Sequence, residues 1–275
     1  MSMEPILRAE DHRAWDQWMR SVCLHMRTQV FRRTVDAARR LTELALANSS
    51  RPSLSWSGGK DSTDLAHLVG VLCGAGSVKV HSEKDDLDYP GEEDYVRGLA
   101  SAWGLDLTIL RPPVSPSEWI ARRAAHMSGG EDIHSRSAGL SKMCFYPVME
   151  AATREHDLVF LGLRAEESGI RRNLRAARGR LYSLKSGQRR CIPISDWRGI
   201  DVYAYAEVHG FEFLPVYRCI GFLDELRLRP WLVRKSWWLP GVHAARQGQA
   251  AWLRRYYPSL WERFMAWFPD ARSFA

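Results

Sequence analysis

Ser53-Leu54-Ser55-Trp56-Ser57-Gly58-Gly59-Lys60-Asp61-Ser62 is the stretch whose reading decides the fold. A stop signal, Ala47 to Pro52 (ANSSRP), precedes it, and Ser53 to Trp56 reads as a short strand. A pair of glycines follows, and a helix from Ser62 to about Cys73 begins with no linker between. Two glycines let the backbone turn tightly and bring its N–H groups near an anion, while the helix start adds unsatisfied N–H groups and a positive dipole end. Lys60 supplies a mobile cation, Ser62 a hydroxyl and the N-cap, and Asp61 a carboxylate suited to a magnesium ion on bound phosphates. The spacing differs from the Walker A loop, which needs four residues between the first Gly and the Gly-Lys pair.

Working outward, Ser77 to His81 reads as a second strand, Glu92 to Trp103 as a helix and Leu105 to Leu110 as a third strand. Helices are expected at Pro116 to His126 and Ser141 to His156, and Leu158 to Leu161 (LVFL) is a short apolar strand closed by Gly162. Strands alternating with helices of this length need crossover connections, so the expected fold is α/β, an open, mostly parallel sheet with helices on both faces. Upstream, Trp15, Trp18, Met19, Val22 and then Val30, Val35, Leu41, Leu44 recur at helical spacing and predict one or two N-terminal helices. The expected organisation is a helical segment over 1–50, a nucleotide-binding domain over 51–218 and a basic, Trp-rich helical extension over 219–275.

The chain has 275 residues, 45% hydrophobic and 26% charged, which excludes disordered, collagen-like and coiled-coil classes. Its net charge of +7 favours an anionic partner. No run of about 18 apolar residues exists, and Met1 to Arg20 mixes charges throughout, so a soluble, cytoplasmic protein without membrane contact is expected. Five cysteines without a C-x-x-C pair indicate neither a disulfide framework nor a zinc ribbon. His126 and His134 lie eight apart with no third ligand nearby and read as surface or loop residues.

Charge is uneven along the chain. Gly169 to Ile194 holds eight Arg or Lys and no acid, and reads as a basic loop or hairpin. Arg227 to Arg272 carries nine basic residues against two acids, with six of the twelve Trp. That tail is either a helical cap with its Trp residues in the core or a surface that holds a nucleic-acid backbone and stacks bases. Glu83 to Asp94 carries seven acids and one Lys.

Ser57 to Ser62 resembles the PP-loop (S-G-G-x-D-S) of the ATP pyrophosphatase superfamily. Gly162-Leu163-Arg164-Ala165-Glu166-Glu167-Ser168 with Arg171 is similar to G-x-R-x-x-E-S-x-x-R of its phosphoadenosine phosphosulfate reductase branch, which includes the small subunit of bacterial ATP sulfurylase. Pro193-Ile194-Ser195-Asp196-Trp197, Asp201-Val202-Tyr203 and Pro215-Val216-Tyr217 resemble further landmarks of that branch, with Tyr203 where Trp is usual. Most of the latter reads as architecture, with Trp197 and Tyr203 packing a helix Ile200 to His209 and Asp196 capping it. The resemblance covers about Arg51 to Tyr217 and implies an adenine nucleotide alpha hydrolase-like fold.

The resemblance further implies that Ser57, Gly58, Gly59, Lys60, Asp61 and Ser62 grip the pyrophosphate portion of ATP, with Mg²⁺ on Asp61. Gly162 ends a buried strand at the carboxyl edge of the sheet, where ligands bind in open α/β folds, so Arg164 and Arg171 are placed to meet phosphate or sulfate there. Glu167 reads as an orienter of an Arg, and Ser82 and Asp86 are candidate ribose or adenine contacts, a solvated acidic loop being the alternative. The reductases' C-terminal Glu-Cys-Gly-Leu-His element and paired cluster cysteines have no counterpart here, so no iron–sulfur cluster is expected. Lys60 and Ser62, which those reductases tend to lose, are both in place. The expectation is therefore ATP cleavage between the α- and β-phosphates, adenylylation of an anionic acceptor and release of pyrophosphate. Three acceptor readings stand: DNA or RNA, as in DNA phosphorothioate modification; sulfate, with a GTPase partner; or none, in a nucleotide-binding module that recruits partners. Sulfur transfer would need a Cys of a donor partner or of this chain, for which Cys144 and Cys191 are the candidates, each expected as a buried inert thiol.

Overall fold

The computed structural model describes residues 9–125 apart from 75 and 77, then 139–219, then 249–267 and 269. Two N-terminal helices, α1 (Ala9–His25) and α2 (Gln29–Ala47), meet at a corner where the Thr28 hydroxyl accepts from Phe31 N. They lead into β1 (Pro52–Ser55), the loop and α3 (Lys60–His67), whose last turns widen into a π-helical segment, Leu68–Leu72. Then follow β2 (Lys79–Glu83), α4 (Glu92–Ala102), β3 (Asp106–Leu110) and α5 (Pro116–Ala125). After a π-helical turn at Ser141–Phe145 come α6 (Tyr146–Thr153) and β4 (Leu158–Leu161).

Six strands form one sheet in the order β3-β2-β1-β4-β6-β5, where β5 is Leu181–Ser183 and β6 is Arg189–Cys191. Every neighbouring pair is parallel except β5 with β6. The expected sheet is present, and β1 lies at its centre with β2 and β4 on either side, so the loop leaves the sheet where strand order reverses. Among the described residues no helix is long and apolar enough to cross a membrane.

The main core lies on one sheet face. Leu54, Val80, Phe160 and Cys191 pack there against Leu65 and Leu68, and against Val202 and Tyr205 of α8 (Gly199–His209). The N-terminal helices add Val22, Phe31, Ala38 and Ala45 to it, and buried His25 holds Asp201 of α8 at 2.6 Å. A second cluster gathers Tyr89, Ile120, Leu140 and Tyr217 with Leu253, Leu260, Phe264 and Trp267 from α9 (Gln249–Tyr256) and α10 (Pro258–Trp267). Trp267 of the tail is thus core; residues 220–248, with three more of its Trp, lie outside the described residues.

Two local expectations change. The first half of the basic run is a helix, α7 (Gly169–Arg178), because Ser168 caps it by accepting from Arg171 N and Arg is a good helix former; only the second half is the β5–β6 hairpin. Asp196 does not cap α8. It receives two hydrogen bonds from Arg175, at 2.8 and 3.0 Å, while Asp201 reaches back to Arg198 N at 2.7 Å and closes the start of α8.

Candidate active site

Gly58 carries the turn between β1 and α3, with φ of +80°, a conformation that favours glycine. A Cβ here would also lie 3.1 Å from Val96 Cγ2 and 3.3 Å from Lys84 Nζ. Gly59, and not Ser62, is the N-cap of α3, since the helix starts at Lys60. Ser62 Oγ instead donates to Gly59 O at 2.9 Å and lies 2.9 Å from Ser57 Oγ, so the loop is closed by its own hydroxyls. Among the described residues, no acceptor faces the amides of Asp61 and Ser62, which leaves the donors that a helix start offers to an anion.

Lys60 is no mobile cation. It is 2% exposed, its Nζ lies 3.0 Å from Asp61 Oδ2, and it sits 5.3 Å from the ring centroid of Tyr217. Burial pushes the ammonium below its ordinary value, with Asp61 opposing. Asp61 Oδ1 accepts from Arg164 Nε at 2.5 Å. Burial pushes the Asp61 carboxyl up, but Lys60 and Arg164 outweigh it and hold the group below its usual range.

Both Asp61 oxygens are therefore engaged by cations, Oδ2 by Lys60 and Oδ1 by Arg164. Among the described residues no group of three or more His, Cys, Asp or Glu could hold a metal ion. A magnesium ion carried on the phosphates of a nucleotide would need only one or two protein carboxylates, and Asp61 is the one at this loop.

Arg164 is also redirected. Its side chain is fully buried and bonds Asp61 and, through Nη1, Glu166 Oε2 at 2.7 Å. Glu166 in turn accepts from Gly199 N at 2.6 Å, at the start of α8. Arg164 thus links the loop to α8 through buried Asp61 and half-buried Glu166. Burial pushes its pKa down, but Asp61 and Glu166 more than offset this, and the group stays charged. Arg171, half-buried in the first turn of α7, pairs with Glu167, the orienting role expected for that acid. It is near enough to Lys60 to depress the ammonium further.

Gly162 approaches the loop most closely. A Cβ on it would stand 2.7 Å from Ser62 Cα and 2.9 Å from Ser62 N, both backbone atoms. The end of β4 and the start of α3 touch because position 162 has no side chain.

Ser82 is buried near the end of β2, its hydroxyl without a partner among the described residues. Asp86 is elsewhere: it accepts from Ser115 Oγ at 3.0 Å and from Ser117, fastening the start of α5, so its assignment to the nucleotide is not supported by this placement. The acidic run is organised around its one Lys. Lys84 is 1% exposed, 2.5 Å from buried Glu92, and donates to Ser57 O at 3.2 Å.

Three residues near the loop escape sequence reasoning. Tyr217, read as architecture, accepts from Lys60 N at 3.1 Å; burial raises its phenol well above the usual value, with Lys60 N–H opposing. Lys84 looks in the sequence like the odd cation of a solvated loop. Asp64, one turn beyond Asp61, is fully buried with neither oxygen hydrogen-bonded among the described residues, and burial, then Asp61, push it well above its ordinary value. The helical spacing of Asp61 and Asp64 was the available signal, but burial of a carboxyl without a partner cannot be read from spacing. Cys144 and Cys191 are buried, and burial pushes their thiols up to about 11 and about 12. His126 and His134 lie outside the described residues.

The central parallel strands, the glycine turn at the strand-order reversal and the donors at the start of α3 define a PP-loop nucleotide-binding enzyme fold. Residues 51–221 match the phosphoadenosine phosphosulfate reductase domain, and the chain belongs to that family. A phosphoadenosine 5'-phosphosulfate reductase of Sodalis glossinidius is 30% identical over 130 residues, 47% of this chain and 50% of that one. One of Erwinia tasmaniensis is 27% identical over 130 residues, 47% of this chain and 51% of that one. The chain thus matches about half the length of these curated relatives. The crystal structure of phosphoadenylyl-sulfate reductase from Candida auris in a phosphate complex is similar in fold, with a TM-score of 0.50 at 16% identity, covering 66% of this chain and 84% of that one.

Proposed function

We propose that this protein binds ATP at the Ser57–Ser62 loop, cleaves it between the α- and β-phosphates and adenylylates an anionic acceptor, releasing pyrophosphate. The observation that carries the reading is the coexistence of free-facing Asp61 and Ser62 amides with Lys60 at one strand end. Amides of a fixed loop are oriented before the substrate arrives, so they stabilise charge on a leaving pyrophosphate without reorganisation. Gly162 and Tyr217 hold that loop from two sides. Arg164 acts here as a positioning residue that fixes Asp61, and Arg171 with the other cations of α7 supplies positive charge toward the acceptor. An acceptor that is already an oxyanion attacks the α-phosphorus in line, needs no base, and requires only that charge repulsion be screened. A nucleic-acid phosphate or sulfate fits that description, and the basic α7 surface favours the nucleic acid. Sulfur transfer would draw its thiol from a partner, since Cys144 and Cys191 are held neutral and buried.

A second reading, supported by family membership, is that the site takes a sulfonucleotide. Pyrophosphate release from Mg-ATP by the wild type and by Lys60→Ala, alone and with sulfate, DNA or RNA, decides between them. Release that depends on Lys60 and rises with one acceptor is expected. No release with any acceptor, together with tight binding of phosphoadenosine phosphosulfate, would replace the first reading by the second.

A further inference from the structure

The sheet face opposite α3 and α8 is unusual for a parallel sheet. Register places Ser53, Ser55, Lys79, His81, Val159, Leu161 and Arg190 on it, whereas covered parallel sheets are ordinarily apolar on both faces. A cavity of about 920 Å³ opens there beside α6. Its walls include three guanidinium-bearing residues, Arg51, Arg154 and Arg190, and none of their side chains forms a hydrogen bond or ion pair with another described residue. Two acids share the lining. Asp157 is already committed to Ser49 Oγ at 2.5 Å and to the amides of Ser50 and Arg51 at 3.0 Å each. Glu150 acts on Arg190 only at longer range than an ion pair. Arg190 is half-buried, and burial pushes its pKa down, with Tyr182 and Glu150 opposing.

Half-buried guanidinium without a carboxylate within reach is costly unless an anion from outside completes it, and its planar fork matches phosphate oxygens. The volume is that of a small-molecule site. The same wall carries Met149 and Tyr146, the latter 64% exposed, an uncommon state for a large aromatic ring and one suited to an organic skeleton. None of the lining residues belongs to Ser57–Ser62 or to Gly162–Arg171.

We propose that this cavity is a second ligand site, separate from the loop, and takes a small organic phosphate whose anionic group is held by Arg51, Arg154 and Arg190 and whose carbon skeleton lies against Tyr146 and Met149. The proposal stands or falls independently of the reaction at the loop.

Calorimetric titration with AMP of the full chain carrying Lys60→Ala, which removes the loop's cation and leaves its amides, tests it, and the arginine variants below tell binding in the cavity from binding at the loop. One AMP per chain is expected to bind. Arg190→Leu in that background should weaken binding tenfold or more, and so should Arg154→Leu, an exposed position whose replacement spares the core. Adenosine, lacking the phosphate, should bind at least tenfold more weakly than AMP, and inorganic phosphate should displace AMP. Absence of AMP binding to the Lys60→Ala chain, unchanged affinity in both arginine variants, equal binding of adenosine, or failure of phosphate to compete would each overturn the proposal.

Discussion

Replacing Gly162 by Ala isolates the contact on which the loop's position depends. The added methyl carbon would stand 2.7 Å from Ser62 Cα, 2.9 Å from Ser62 N and 3.1 Å from Asp61 C. Carbon pairs are at ease near 3.5–4.0 Å, so relief requires a separation of about 1 Å between β4 and α3. All three opposing atoms are backbone, so no side chain can swing away. Overpacking of this kind costs about 1–3 kcal/mol, which for a protein of this size lowers Tm by about 2–10 °C. The displacement falls on the turn bearing Lys60 and the Asp61 amide, and misplacement of reacting groups by about 1 Å costs on the order of a hundredfold in rate. Urea denaturation and ATP titration of Gly162→Ala, beside Gly169→Ala as control, provide the measurement. Gly169 has nothing within 4 Å of its would-be Cβ and opens α7, so its replacement should be neutral or slightly stabilising. A Gly162→Ala protein with unchanged midpoint and unchanged ATP affinity would refute the close-approach argument.

Other outcomes follow from the buried charges. Arg164→Met should destabilise by about 3–5 kcal/mol, because Asp61 and Glu166 lose a buried partner, and a cost under about 1 kcal/mol by chemical denaturation would show that Arg164 does not hold them. Lys84→Met should cost a similar amount, about 3–5 kcal/mol, whereas Lys84→Met with Glu92→Leu should recover most of it; a double-mutant cycle without coupling would exclude the pair as the anchor of the acidic run. Asp64→Val should stabilise by about 1–3 kcal/mol by removing an unsatisfied buried carboxyl. Its advantage should widen above about pH 4, since a carboxyl raised in the folded state loses stability as pH rises, and an advantage flat with pH would contradict this. Burial raises Asp157, but hydrogen bonds from Ser49, Ser50 and Arg51 bring it down to about 2. Its contribution is present above the ordinary carboxylate range and lost as pH falls toward about 2, so acid unfolding of Asp157→Asn should show a weaker pH dependence there, measured by circular dichroism.

The strand, glycine turn and helix at Ser53–Ser62, the strand ending at Gly162, and the family were all legible in the sequence, because each rests on residues adjacent in the chain. Periodicity and turn chemistry act over a few residues, and they sufficed for a mostly parallel sheet with β1 beside β2. The helix α7 was missed because the run was read as one unit interrupted by Gly179 and Gly187, although Ile170, Leu174 and Ala177 recur at helical spacing within its first half.

What only the tertiary structure decided is the direction of the charges. Asp61 and Arg164 lie 103 residues apart, and Lys60 and Tyr217 157 apart, and no local signal says whether a cation so placed faces inward or toward a ligand. Burial makes that choice: a guanidinium removed from water must find a carboxylate, so Arg164 and Asp61 satisfy each other, whereas Arg190, on the sheet's other face, forms no ion pair with another described residue. The chemistry of the loop was written in six consecutive residues, but which groups remain available to a ligand depended on the packing of β4, α3 and α8 around them.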